Sequence, residues 1–178
     1  MPELPEVETV RRGLSKLLVG HTVIKVTHDT PKSFPNAAAD MENFLVGAKV
    51  TDIRRRAKVL LIDLSSEYSL VIHLKMTGQI VYRGEAVFGA GHPNDSLVGE
   101  LPDRSTRVIF ELDQGAKLFF NDQRKFGWVR LMPTIEIPNI DFMKKVGPEP
   151  LDAEFTDKEF IQRLQRRKNT TIKAAILD

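Results

Sequence analysis

The sequence predicts an α+β, mainly β, protein: an N-terminal helix, an antiparallel β-sandwich or barrel-like domain, and then the start of a truncated helical module. Three observations carry this. Val7, Val10, Leu14, Leu17 and Leu18 recur at three- and four-residue spacing with Glu8, Arg11, Arg12 and Lys16 between them, the pattern of an amphipathic helix running from Pro5 to Gly20. Short runs rich in branched and aromatic residues follow at 22–27, 49–53, 59–64, 70–74, 79–83, 107–112, 117–120 and 128–131. No helical pattern alternates with these runs, and turn signals such as Asp113-Gln114-Gly115 separate several of them, so antiparallel pairing is expected. Helical periodicity returns at 156–167, with Phe160, Ile161 and Leu164 on one side. Thr170 or Thr171 is placed to cap a further helix that opens Ile172-Lys173-Ala174-Ala175.

The intervening segments are less regular. Residues 34–46 are expected to hold a short helix with Phe44 and Leu45 facing inward, and residues 84–103, rich in Gly, Pro, Asn and Ser, read as a long mobile loop. Pro133, Pro138, Pro148 and Pro150 mark 133–150 as a linker. The expected organisation is therefore a β-domain over 1–132, the linker over 133–150, and a helical module beginning at 151 and reaching 178.

Composition narrows the chemistry. A chain of 178 residues holds one domain with a full core and a piece of another. No apolar run approaches the roughly 20 residues of a membrane-spanning helix. The acidic, two-proline start is unlike a secretory signal, so a cytoplasmic protein with no membrane partner is expected. Cysteine is absent, which excludes disulfides, thiolate catalysis and any thiolate-bound zinc or iron–sulfur site in this chain; no metal ligand set and no cofactor is expected. The net charge of +2 says little, but bases cluster at 54–58, at Arg124-Lys125 and at 163–168, where they suit either a polyanion or a solvated basic face.

The N-terminus holds an unusual reagent. Once Met1 is removed, which the small Pro2 permits, the chain begins with a secondary amine whose pKa near 8 leaves part of it neutral and nucleophilic at physiological pH. Condensed with an aldehyde carbon, such an amine gives an iminium that cannot shed a proton to become a neutral imine. At C1′ of a deoxyribose this electron sink would labilise the glycosidic bond and then the C2′ proton, releasing the 3′ and 5′ phosphates by successive elimination. Glu3 and Glu6 lie near that amine in sequence and resemble a general acid/base pair, although on charge alone Glu3, Glu6 and Glu8 equally complement the helix dipole.

The string Pro2-Glu3-Leu4-Pro5-Glu6-Val7-Glu8-Thr9-Val10-Arg11-Arg12 resembles the opening of the formamidopyrimidine-DNA glycosylases. The likeness continues in order. Arg55-Arg56-Ala57-Lys58 is similar to that family's basic strand entry, His73-Leu74-Lys75-Met76-Thr77-Gly78 to its His-Leu-x-Met-x-Gly motif, and Asp122-Gln123-Arg124-Lys125-Phe126-Gly127 to its Asp-x-Arg-Lys-Phe-Gly loop. Gly147-Pro148-Glu149-Pro150-Leu151 and the run from Ile172 to Asp178 resemble the linker and the entry to a helix-two-turn-helix module. The resemblance implies a monomeric base-excision glycosylase and abasic-site lyase acting on double-stranded DNA that contains oxidised bases. It implies Pro2 as Schiff-base nucleophile, Glu3 as acid/base at the sugar, Glu6 as a supporting carboxylate and Lys58 beside the lesion. It further implies His73 on a phosphate, Met76, Arg124 and Phe126 as probes filling the gap left by an extruded nucleotide, and Lys173 as a DNA contact. Leu4 stands where the sister branch, specific for oxidised pyrimidines, carries Gly, so 8-oxoguanine and formamidopyrimidines are the expected substrates.

Departures from the family pattern qualify this. Members continue through the rest of the helical module into a four-cysteine zinc finger, and this cysteine-free chain holds neither. A fragment of a longer protein or a truncated product is expected, with weak, salt-sensitive DNA binding. Asp103-Arg104-Ser105-Thr106-Arg107 replaces a histidine-rich string found in some members. Two alternatives remain open: a damaged-DNA-binding protein with weak or no catalysis, and a tautomerase-like enzyme using Pro2 as base, which leaves the Arg124–Gly127 loop unexplained.

Overall fold

The computed structural model describes residues 2–177. The chain divides into two compact units, one ending at Pro138 and the other starting at Asn139. The first unit opens with α1 (Leu4–Leu17), which buries Val7, Val10 and Leu14 along one stripe. Nine strands follow: β1 (Val23–His28), β2 (Val50–Arg56), β3 (Val59–Leu64), β4 (Tyr68–His73), β5 (Gly78–Arg83), β6 (Val87–Gly91), β7 (Thr106–Leu112), β8 (Lys117–Asp122) and β9 (Trp128–Pro133), with α2 (Ala38–Phe44) between β1 and β2.

The strands form a five-stranded sheet in the order β1-β7-β8-β5-β6 and a four-stranded sheet in the order β2-β3-β4-β9. Every pairing is antiparallel. The sheets face one another across a single apolar core, to which Ile62 and Ile72 contribute from one sheet and Phe110 and Phe120 from the other, closed at one side by Val10 and Leu14 of α1. The protein is thus α+β and mainly β, with an N-terminal helix and a sandwich, as the periodicities predict.

Residues 84–103 are not irregular throughout, as the loop reading expects. They contribute β6, an edge strand paired to β5 along its whole length, and then a 3-10 turn at Asp95–Leu97 whose N-cap, Asn94, accepts from the Ser96 amide at 2.9 Å. Two glycines in Val87-Phe88-Gly89-Ala90-Gly91 hide the strand, since glycine weakens the local β signal. Tertiary packing supplies what propensity lacks: a Cβ on Gly13 of α1 would lie 2.1 Å from the Phe88 ring, so the bare glycine is what lets α1 lie on β6.

The 34–46 segment yields α2, with Leu45 buried and Phe44 stacked on Tyr68 at 4.0 Å between ring centroids. Just before it, the Asn36 side chain donates to the Leu131 carbonyl at 2.7 Å and accepts from the Leu131 amide at 2.8 Å. One amide side chain thereby serves as the missing neighbour of edge strand β9.

Residues 133–150 carry short helical pieces, a 3-10 turn at Thr134–Asn139 and α3 (Asp141–Lys145). In the second unit α4 (Asp157–Gln165) is capped by the Thr156 hydroxyl, and α5 (Ile172–Leu177) by that of Thr171, which accepts from the Ala174 amide at 3.3 Å. Phe160 and Ile161 of α4 are exposed.

Candidate functional site

The start of α1 sets the geometry. Pro2 is buried, and Glu3 is the N-cap, with extended backbone. The Glu6 carboxylate turns back to accept the Glu3 amide at 2.9 Å, which satisfies one of the orphan donors that open every helix and fixes the first turn. The Glu3 side chain reaches the β2–β3 hairpin, where its Oε2 forms an ion pair with the Lys58 ammonium.

Lys58 sits in the two-residue turn between paired residues Arg56 and Val59, next to Ala57 at φ 49°. Arg55 braces this turn. Its Nη1 donates to the Ala57 carbonyl and its Nε to Glu8 Oε2, both at 2.9 Å, with the side chain buried. Glu8 also accepts from Arg11 and Arg12, and these guanidinium groups, Arg11 foremost, hold its carboxyl down to about 2. The basic run at 54–58 is therefore not a free cationic face: Arg55 is spent on Glu8 and Arg54 on Asp63, which accepts from its Nη2 at 2.9 Å.

Register carries the site along the sheet. Val59 pairs with His73, and His73 with Trp128. Burial first, then the positive charges of Lys75 and Lys58, push the His73 imidazole down to about 4. Its Nδ1 accepts the Lys75 amide at 3.1 Å, so the neutral ring carries its proton on Nε2. The chain then turns through Lys75 (φ 52°) and half-buried Met76 to Thr77.

The Thr77 hydroxyl donates to Asp122, which is fully buried at the end of β8. The same carboxylate accepts the amides of Arg124 at 3.2 Å and Gly127 at 2.7 Å, while Arg107 Nε donates to the Asp122 carbonyl at 2.7 Å. Between these anchors Lys125 adopts φ 57° and Phe126 stands out 47 % exposed, with the Arg124 guanidinium 4.8 Å above its ring. Gly127 is obligatory for close approach: a Cβ there would meet the Phe120 ring at 2.8 Å and the His73 carbonyl at 2.9 Å.

Of the residues singled out from sequence, Pro2, Glu3, Glu6 and Lys58 gather where α1 meets the hairpin, and Lys58 is near enough to His73 for its charge to bear on the ring. Met76, Arg124 and Phe126 lie on two loops joined through Thr77 and Asp122. Lys173 is exposed on α5 in the second unit, and Met1 lies outside the described residues. The sequence alone does not single out Glu8, Arg55, Thr77, Arg107 or Asp122. Glu8, Arg55, Thr77 and Asp122 lie inside the motifs named above, but a buried polar partner has no periodic signature. Among the described residues no cluster of His, Asp and Glu is arranged to hold a metal ion, and no helix is long and apolar enough to cross a membrane.

The formamidopyrimidine-DNA glycosylase N-terminal domain model matches residues 1–129. The chain belongs to this family. It is similar to the formamidopyrimidine-DNA glycosylase of Desulforamulus reducens, 39% identical over 181 residues, and to that of Rhodopseudomonas palustris, 41% identical over 180; each comparison covers 100% of this chain and 60% of the relative. The chain thus spans about 60% of the length of these curated glycosylases. Among solved structures it is similar to Lactococcus lactis Fpg in complex with DNA containing an abasic site, with a TM-score of 0.79, 27% identity, and coverage of 99% of this chain and 59% of that one. The same enzyme bound to DNA containing N7-benzyl-Fapy-dG gives a TM-score of 0.79 at 28% identity, covering 99% of this chain and 60% of that chain.

Proposed function

We propose that this chain carries the catalytic part of a DNA base-excision glycosylase with abasic-site lyase activity, acting as a monomer on oxidised purines, 8-oxoguanine and formamidopyrimidines, in double-stranded DNA. The observation that carries this reading is the Glu3–Lys58 ion pair beside buried Pro2, which brings a nucleophile, a carboxyl group and an ammonium together at the start of α1.

With Met1 removed, the Pro2 nitrogen adds to C1′ and the glycosidic bond breaks, the electron pair leaving with the damaged base. The Glu3 carboxylate takes the proton that the Pro2 nitrogen sheds on addition and passes it to the ring oxygen O4′ as the sugar opens, leaving an iminium between Pro2 and C1′, while the departing base is protonated from water. The iminium acidifies the C2′ proton, which the now ionised Glu3 carboxylate accepts as the 3′ phosphate departs by β-elimination, and water hydrolyses the adduct to free Pro2. Glu6 supports this by fixing the Glu3 backbone, and Lys58 fixes the Glu3 carboxyl. Neutral His73 can donate from Nε2 to a phosphate oxygen, and Lys173 adds a phosphate contact. Met76, Arg124 and Phe126 fill the space of the extruded nucleotide, the apolar side chains replacing lost stacking and the guanidinium pairing with the orphaned base.

Borohydride trapping on duplex DNA with an abasic site tests the reading. A covalent adduct is expected with the parent chain and none with Pro2→Gly; no parent adduct, or equal trapping by Pro2→Gly, would overturn it.

A further inference from the structure

We propose that the buried Asp122 carboxylate, bridged to the Thr77 hydroxyl, is a positioning group that joins the Met76 turn and the Arg124–Phe126 loop into a single rigid wedge for opening the duplex. The inference rests on the reading of Met76, Arg124 and Phe126 given above, and assigns to the wedge a support that lies beneath it rather than in it.

Both oxygens of Asp122 act as acceptors. One takes the Thr77 hydroxyl and the Arg124 amide, and the other takes the Gly127 amide. The two amides bracket Arg124, Lys125 and Phe126, three of the four exposed residues of the loop, so a single buried group fixes both ends of that segment. The third donor belongs to the neighbouring turn, and the Thr77 oxygen itself accepts the Arg124 amide at 3.0 Å, closing a small ring of hydrogen bonds between the two loops. Arg107 secures the base of this ring through the Asp122 carbonyl, and is itself anchored to Asp29 at 2.7 Å. The loop needs such anchoring. Lys125 holds a left-handed φ of 57° that a non-glycine residue keeps only when its surroundings over-determine it. A wedge that parts stacked bases must resist being pushed back, and a tip held at two points on a buried charge meets that need better than Arg124–Phe126 stacking alone.

The chemistry of the side chains allows a sharp test. Asparagine fills the volume of Asp122 but has one acceptor oxygen, so one loop amide is left facing an NH2 group. Thr77→Val keeps the shape and removes the hydroxyl, while Thr77→Ser keeps the hydroxyl. The assay is fluorescence of 2-aminopurine placed opposite a tetrahydrofuran abasic analogue in duplex DNA, which reports wedge insertion without chemistry. It is paired with borohydride trapping on single-stranded abasic DNA, which needs no wedge. The parent is expected to raise the fluorescence, Thr77→Ser to match it, and Asp122→Asn and Thr77→Val to lose at least about tenfold in apparent affinity by this signal. Trapping on the single strand is expected to stay within about twofold of the parent. Unchanged fluorescence in both variants, no fluorescence response from the parent, or single-strand trapping that falls in parallel with fluorescence would overturn the proposal. A parent that gives the fluorescence response but no trapping would defeat the glycosylase reading and leave the wedge supported.

Discussion

Arg55 and Glu8, 47 positions apart, are joined by a 2.9 Å hydrogen bond that ties α1 to the β2–β3 hairpin. Because Glu3 stands on the first element and Lys58 on the second, this buried contact sets how the two meet. Glu8→Gln leaves the Arg55 guanidinium, 4% exposed, without its charged partner, and is expected to cost about 1–3 kcal/mol. The Glu8 carboxyl is held below its ordinary 4.5, at about 2, so its contribution is fully present above about pH 4.5 and is lost as pH falls through about 2. Urea unfolding of both proteins should show a gap that narrows with acid over that window. A gap that stays constant would show that the ionised carboxylate is not the source.

Lys58 offers a separation of catalysis from stability. Its ion pair with Glu3 is partly open to solvent, 33% and 41% exposed, so removing it changes folding by at most about 1 kcal/mol. On the proposed glycosylase reading, Lys58→Gln is nevertheless expected to slow single-turnover excision of 8-oxoguanine by roughly 10²-fold, because Glu3 loses the group that orients its carboxyl. Thermal melting alongside the rate measurement checks both halves. An unaltered rate would remove Lys58 from the site.

Much of this was legible from the chain, and the limits have physical causes. β3 could be read to the residue at 59–64 because Val59, Leu60, Leu61 and Ile62 are buried on both faces of the sheet, so the apolar run is continuous. β6 could not, because its glycines weaken the local strand signal, and the close approaches they allow, Gly89 to the Leu97 carbonyl and Gly91 to the Gly78 carbonyl, are invisible in the sequence. Glu3, Lys58 and the probe residues could be named from motifs. Arg55 read as one of several surface bases because nothing local shows a cation its partner across 47 positions. Asp122 stood in a motif whose long side chains drew attention away from the short one that holds them.

Asn36 makes a prediction about the edge of the sheet. Its side chain occupies both backbone groups of Leu131 on β9, and Asn36→Ala would leave that amide and carbonyl without their partner. The expected loss is about 1–3 kcal/mol. Hydrogen exchange at the Leu131 amide should accelerate more than at Val129, whose amide bonds to the Ser33 carbonyl at 2.9 Å and keeps that contact. Equal acceleration at both would mean that the whole strand detaches and that Asn36 is not a local clasp.

His73 lies 5.9 Å from Trp128, ring to ring, and Trp128 is the single tryptophan of the chain. Protonated imidazole quenches indole emission, so the ring reports the charge of its neighbour directly. Burial and the charges of Lys75 and Lys58 lower His73 from 6.5 to about 4. The emission is therefore expected to hold steady down to about pH 5.5 and to fall with a midpoint near 4, with no such step in His73→Gln; far-UV circular dichroism over the same range separates titration from unfolding. A group depressed in the folded state stabilises the fold above its unfolded pKa, here about 6.5, and loses that contribution as pH falls through about 4. The unfolding free energy of the parent should accordingly drop relative to His73→Gln between those two values. A midpoint near 6.5 would show that the imidazole is solvated and charged as an ordinary surface histidine is, and the neutral donor assigned to His73 Nε2 would have to be abandoned.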